Sequence, residues 1–315
     1  MGPGHAARRL SRVLQAGNTP HVPFQDVRPS TINNRSRPLT SILMSAMQTL
    51  PAHEIERALQ AIETDGFVLL EDAISAVEAA ELAELVLSAP ERAPGVRGYE
   101  FVVSLLNCDI RFQKLVTHPS VLELTRQLIG GRTEPGSQFF TWPVEDQIRL
   151  GSVDGLLAHP GSEPGNWHLD SPMGQLNPAR PVPDFPIGVN SFWILTPFTK
   201  ETGATRAMPG SHKLRRLPPA TNDSLAGEVV CCGSPGSVVI MPNTVWHAAG
   251  SNGSKQPRVG VAAFYQPWWV GRLTMDMYPV RPDVWKTLSP EAQVLTRHQL
   301  DWNTDFQGAV TSPDD

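Results

Sequence analysis

The chain has 315 residues, of which 40% are hydrophobic, and a formal net charge of −5. That balance lies far from the low-hydrophobicity, high-charge regime of disordered chains and offers no basic face for nucleic acid. No apolar run is long enough to cross a bilayer, and the three cysteines make no disulfide framework, which fits a reducing, cytoplasmic compartment.

The first fifty residues differ from the rest. Arg8, Arg9 and Arg12 precede the first acid, Asp26, and residues 18–40 are rich in Asn, Pro, Ser and Thr. We read 1–50 as a disordered extension, with organelle targeting as the alternative. No apolar stretch follows the arginines, so it is not a secretory signal. Ile55, Ala58, Leu59 and Ile62 recur at helical spacing and predict an amphipathic helix over 53–63. Asp65-Gly-Phe-Val-Leu-Leu70 reads as a turn into a buried strand. Ser75 and Glu78 form a capping box that opens a helix over 76–88. Ser120 and Glu123 predict a second capping box, for a helix carrying Val121, Leu124 and Leu128 that Gly130-Gly131 ends.

From about residue 137 the pattern changes to short strands, expected at 137–142, 146–150, 189–196, 204–207, 228–231, 236–241 and 258–265. The 30 prolines and 25 glycines punctuate them, and the loops 159–166 and 171–188 are long. Residues 282–296 read as helix again, and 301–315 as a flexible tail. Helices followed by strands, without βα alternation, predict an α+β fold within one domain over 51–300: a β-core with N-terminal helices packed on one face.

The chemistry begins with Asn166-Trp-His-Leu-Asp170. His168 and Asp170 are two apart, so on an extended segment both side chains emerge on one face and can grip a divalent metal. That spacing is weak evidence by itself. A Gly turn and buried strand from Gly236 lead to His247 just past the strand end, a third ligand that would complete a 2-His-1-carboxylate facial triad. Eleven residues later Arg258 starts another apolar strand. An inward guanidinium there is costly unless a carboxylate meets it.

His168-x-Asp170, then Glu201-Thr-Gly-Ala-Thr-Arg-Ala-Met-Pro-Gly-Ser-His212, then His247 and Arg258, resemble the phytanoyl-CoA dioxygenase (PhyH-like) family over roughly 60–270. Asp65-Gly-Phe-Val and the helix after His118 belong to the same resemblance. It implies a double-stranded β-helix (jelly-roll, cupin-like) core, Fe(II), and 2-oxoglutarate and O2 as cosubstrates. It also implies that His168, Asp170 and His247 hold the iron, and that Arg258 salt-bridges the distal carboxylate of 2-oxoglutarate. Thr205 matches a hydroxyl that hydrogen-bonds the same carboxylate in some members, and Gln138 is placed at the cosubstrate's other end by strand position only. Relatives that halogenate carry a small residue where this chain has Asp170, so the expected outcome is hydroxylation, desaturation, cyclisation or epimerisation. Gly165-Asn166 departs from the Gln or Pro that many relatives carry before the first ligand, and leaves the keto-acid contacts undefined.

The expected activity is oxidation of a C–H bond of a small apolar or natural-product-like molecule, with release of succinate and CO2. A non-oxidative metal-dependent isomerase or hydrolase, or a metal or keto-acid sensor, are the alternatives on the same scaffold. Other residues read as structural: His212 as part of a turn, His159 as solvated, His118 as capping or packing beside a helix, and Trp246 as packing that fixes His247. Cys231 and Cys232 read as small hydrophobes on a strand. Trp268 and Trp269 read either as pocket wall or as packing, and Met173 and Gln175 as within reach of substrate. Neither membrane nor nucleic-acid partners are expected, and the oligomeric state is not readable.

Overall fold

Two β-sheets and a layer of helices organise the residues described by this computed structural model, 47–131, 147–170, 181–270 and 279–297. The strands are β1 (Thr49–Pro51), β2 (Val68–Glu71), β3 (Ala93–Pro94), β4 (Tyr99–Val102), β5 (Ile148–Ala158), β6 (Val189–Ile194), β7 (Arg206–Ala207), β8 (Val229–Val230), β9 (Val238–Pro242), β10 (His247–Ala248) and β11 (Arg258–Pro267). The helices are α1 (Ile55–Asp65), α2 (Ala76–Leu87), α3 (Leu105–Cys108), α4 (Gln113–Val116), α5 (Pro119–Ile129), α6 (Pro282–Trp285) and α7 (Pro290–Thr296).

The large sheet has the order β1-β2-β9-β6-β11-β5-β4-β3, and the small one β10-β7-β8. All large-sheet pairings are antiparallel except β1 with β2. An isolated antiparallel bridge joins His168 to His247 and adds the 168 segment to the outer edge of the small sheet. The arrangement is the expected double-stranded β-helix.

Period-two alternation divides the apolar residues of each central strand between two cores. Val189 and Trp193 of β6, with Val259, Val261, Ala263 and Tyr265 of β11, face the helices. There they pack with Ala58 and Ile62 of α1, Leu82 and Val86 of α2, and Leu122 of α5. Their alternates turn to the small sheet, where Ile194, Val239 and Met241 meet Ala204, Ala207, Cys231 and Val245. Each such aliphatic side chain, fully buried, contributes about 1.5–3 kcal/mol. N-terminal helices on one sheet face are thus borne out.

Several local expectations change. The Ser75–Glu78 capping box forms, but the Ser120–Glu123 box does not. Helix α5 starts two residues earlier, with His118 at the cap and Pro119 in the first turn, where its missing N–H costs nothing. Gly130 ends that helix in an extended conformation, φ −67°, not a left-handed one. Glycine is needed there for space, since a Cβ would lie 2.3 Å from the Arg126 carbonyl oxygen. The expected helix over 282–296 is two, because Ser289 caps Ala292 N–H and Pro290 starts a new helix. The strand expected at 146–150 runs on to Ala158. Strand β1 falls just inside the expected N-terminal extension. The strand expected at 137–142 lies outside the described residues. Among the described residues no helix is long and apolar enough to cross a membrane.

Candidate active site

The segment before the first ligand pair is held by alternation. Trp167 and Leu169 turn into a cluster with Trp246, Ala248 and Val182, which sends His168 and Asp170 to the other side. Arg206 secures the same segment. Its guanidinium donates to the carbonyls of Gly165 (3.1 Å), Asn222 (3.1 Å) and Asp223 (3.3 Å), stacks 5.0 Å from the Trp167 ring, and pairs with Glu228 at 3.5 Å. Trp167 adds its indole N–H to the Asp223 carbonyl at 2.8 Å.

His247 arrives from the small sheet. It opens β10 rather than trailing β9 as the sequence suggested, paired with Ala207 of β7. Trp246 N–H donates to Ser211 Oγ at 2.9 Å, and its indole N–H to the Arg216 carbonyl at 3.0 Å, so the residue before the ligand is pinned at both ends. This is the packing role expected of Trp246.

The three side chains converge. His168 Nε2 lies 3.6 Å from Asp170 Oδ1, and His247 Nε2 lies 3.5 Å from Asp170 Oδ2. All three ligand atoms fall within 4.8 Å of one another. Both imidazoles are oriented alike. His168 Nδ1 contacts the Asn166 carbonyl at 2.9 Å and His247 Nδ1 the Val245 carbonyl at 3.1 Å. A carbonyl only accepts, so Nδ1 carries the proton in each ring and Nε2 presents its lone pair to the centre. Burial pushes the His247 pKa down, which favours the neutral ring a metal requires. Asn190 donates its amide N–H to Asp170 Oδ2 and fixes the carboxylate. Sequence reasoning missed Asn190, which is one polar residue among the apolar ones of a core strand. An N, N, O donor set with one exposed face suits a divalent transition metal with open positions.

Arg258 is 3% exposed at the start of β11. Its Cζ lies 4.6 Å from the Phe198 ring centroid and 5.9 Å from that of Tyr99. The Tyr99 oxygen accepts from the guanidinium, and its own hydroxyl donates to the Gly250 carbonyl. Burial lowers the guanidinium's pKa from its ordinary value, and its Nε is buried without a partner. No carboxylate among the described residues pairs with it. A buried cation in that state is completed by an incoming carboxylate. Its place is therefore compatible with a dicarboxylic cosubstrate. Thr205 immediately precedes β7, whose Ala207 pairs with His247. Gln138, Met173 and Gln175 lie outside the described residues.

Three other described histidines, His212, His118 and His159, have partners of their own. His212 contacts the Glu63 carbonyl at 3.2 Å. His118 contacts the Ala73 carbonyl at 2.9 Å and stacks edge-on against Trp193. His159 is not merely solvated, as expected, but meets Glu100 at 2.8 Å. Cys231 is buried, its thiol pushed up to about 12 by desolvation, while Cys232 is exposed. Trp269 is exposed and Trp268 half-buried.

With this geometry in hand, comparison with known proteins is informative. The family model described as phytanoyl-CoA dioxygenase (PhyH) matches residues 62–260. Dioxygenase af480 of Aspergillus fumigatus is 26% identical over 196 residues, covering 62% of this chain and 57% of that protein. Dioxygenase andF of Emericella variicolor is 34% identical over 114 residues, covering 36% of this chain and 39% of that one. The chain thus spans about half the length of these curated relatives. Among solved structures, the epimerase SnoN in complex with Fe3+, alpha ketoglutarate and nogalamycin RO is similar over 67% of this chain and 83% of that chain, at 22% identity and TM-score 0.50. HygX of Streptomyces hygroscopicus, with nickel and 2-oxoglutarate bound, covers 72% of this chain and 90% of that chain at 15% identity and TM-score 0.53. These two similarities concern the fold.

Proposed function

The chain belongs to the phytanoyl-CoA dioxygenase family, and from that premise we propose that it is an Fe(II)- and 2-oxoglutarate-dependent oxygenase acting on a small molecule. The observation that carries the reading is the convergence of His168, Asp170 and His247 in one fold with a buried Arg258 whose Nε has no partner.

In this reading the two Nε2 lone pairs and Asp170 hold the metal, and Asn190 holds Asp170. Arg258 takes the distal carboxylate of 2-oxoglutarate, with Thr205 as a second donor to it. Phe198 and Tyr99 wall the guanidinium from water, which strengthens its pairing with a carboxylate. When bound, iron and 2-oxoglutarate supply the oxidant for a C–H bond, with release of succinate and CO2. The protein's own work is to fix the ligands, orient the cosubstrate and position the substrate. The small-molecule substrates named for the similar structures, nogalamycin RO among them, favour a natural-product-like substrate here.

Anaerobic titration with Fe(II) and then 2-oxoglutarate tests this. A weak visible charge-transfer band should appear, and Arg258→Ala should lose it. A protein that binds iron yet shows no band and releases no succinate in air would sink the proposal.

A further inference from the structure

Residues directly opposite in an antiparallel pair share a face, so the inner wall can be followed across three strands. Phe192 of β6, its ring 5.7 Å from that of His247, is opposite Ala262 of β11. Ala262 is in turn opposite Asp154 of β5. Asp154 therefore stands on the wall that faces the metal triad, two strand spacings or about 10 Å from Phe192. Between them Ala262 contributes only a methyl group. Ser152, Asp154, Leu156, Phe192 and Ala262 are all partly open, whereas the alternate residues Val153, Leu157, Trp193, Val261 and Ala263 are buried. The inward face is thus an accessible wall and the outward face is core.

Among the described residues Asp154 has only neutral partners there. Ser104 N–H donates to Oδ1 at 2.8 Å, and the Ser152 hydroxyl donates as well. Both donors are neutral, and no cationic side chain among the described residues acts on the carboxylate. Burial pushes its pKa up, as it does for a carboxylate lacking a counter-charge. Ser104 holds a left-handed backbone, φ 53°, to aim its N–H, so the carboxylate is fixed in place.

We propose that Asp154 is the substrate-recognition residue of this inner wall, accepting a hydrogen bond from an ammonium or hydroxyl group of a small molecule that lies over Ala262. Ser152 is the second polar contact. The inference rests on the oxygenase reading only in treating this wall as part of the catalytic site. A purely structural Asp154 would do no more than tie down the turn at Ser104.

The test uses the full-length, metal-free protein and three probes of one shape: cyclohexylamine, cyclohexanol and cyclohexyl methyl ether, the last without a donor. Ligand-observed NMR titration should show the amine and the alcohol binding about tenfold more tightly than the ether. Asp154→Leu should abolish that preference. Asp154→Asn, which keeps an acceptor for Ser104 N–H should the leucine variant not fold, should abolish the preference for the amine. Equal binding of the three probes by the wild-type protein, no detectable binding of amine or alcohol, or an undiminished preference in the folded variants would each overturn the proposal. Because the probes are read without metal, the outcome stands apart from the charge-transfer band. A wild-type band with no probe preference rejects Asp154 alone, and a preference with no band rejects the oxygenase reading alone.

Discussion

His168 and His247 exchange two backbone hydrogen bonds, 3.0 and 3.1 Å, and their rings lie 4.3 Å apart. Candidate ligands from two distant segments are therefore registered by the main chain. A ligand that binds this native arrangement and not the unfolded chain stabilises the fold by mass action, by about 2.7 kcal/mol at a hundredfold excess over Kd. Thermal unfolding with and without Ni(II) should show an upward shift in Tm. His168→Ala and His247→Ala should abolish it. A shift of equal size in both variants would place the metal elsewhere.

Asn190 holds Asp170 through its amide. Partners that orient a ligating carboxylate typically change metal affinity 10–100-fold (about that range) when removed. Asn190→Leu should weaken Fe(II) binding accordingly, with the far-UV spectrum unchanged. Competition against a chromophoric chelator measures it, and an unaltered affinity contradicts the role.

Arg258 should trade stability for binding. A buried guanidinium with no carboxylate partner among the described residues carries a desolvation cost that an apolar residue of similar volume does not. Arg258→Met should therefore unfold at higher urea than the wild type in the absence of 2-oxoglutarate, and should lose 2-oxoglutarate binding by calorimetry. Loss of stability together with retained binding would be the opposite of the expected pair of results.

Burial lowers the pKa of both His118 and His212 below the ordinary value of 6.5. The unfolded chain then binds more protons than the native one below pH 6.5, so stability falls as pH drops from there toward the depressed native values. Above pH 6.5 both states are neutral and these groups contribute no slope. Urea unfolding of the metal-free protein at pH 7.5 and 5.5 should show the loss. The double variant His118→Gln/His212→Gln should show less of it, and an equal loss would assign the slope to other groups.

Arg206 joins β7 to the segment that leads into His168. Removing it leaves Glu228, 15% exposed at its side chain, without a cation, and breaking a buried pair in this way costs about 3–5 kcal/mol. Arg206→Met should approach that loss in urea unfolding and should also weaken metal binding, because the Gly165 carbonyl is released. Glu228→Gln should cost less. If Arg206→Met unfolds like the wild type, the clamp is not a structural element.

The sequence alone determined much of the secondary structure and set His168 beside Asp170, because both are local, whereas His247 joined the candidate set through the family resemblance. Two positions apart on an extended segment, His168 and Asp170 must share a face. Ser75 with Glu78 writes a helix start within four residues. The apolar run Val259-Gly-Val-Ala-Ala-Phe264 already marks a strand. The family resemblance then named the partners that spacing could not.

Only the tertiary structure decided what depends on neighbours distant in the chain. Asn190 became a carboxylate holder because β6 passes under Asp170, and Asp154 became part of the metal-facing wall through two strand registers. The Ser120–Glu123 signal lost to Pro119, whose ring fits the first turn and let the helix begin earlier. Strands β7 and β8 fall within the strands expected at 204–207 and 228–231, whereas β10, two residues long, has no periodicity to read and exists only because the sheet pairs it. The same pairing brings His247 to His168: the three side chains are written in the sequence, and backbone hydrogen bonding across the fold brings the two imidazoles together.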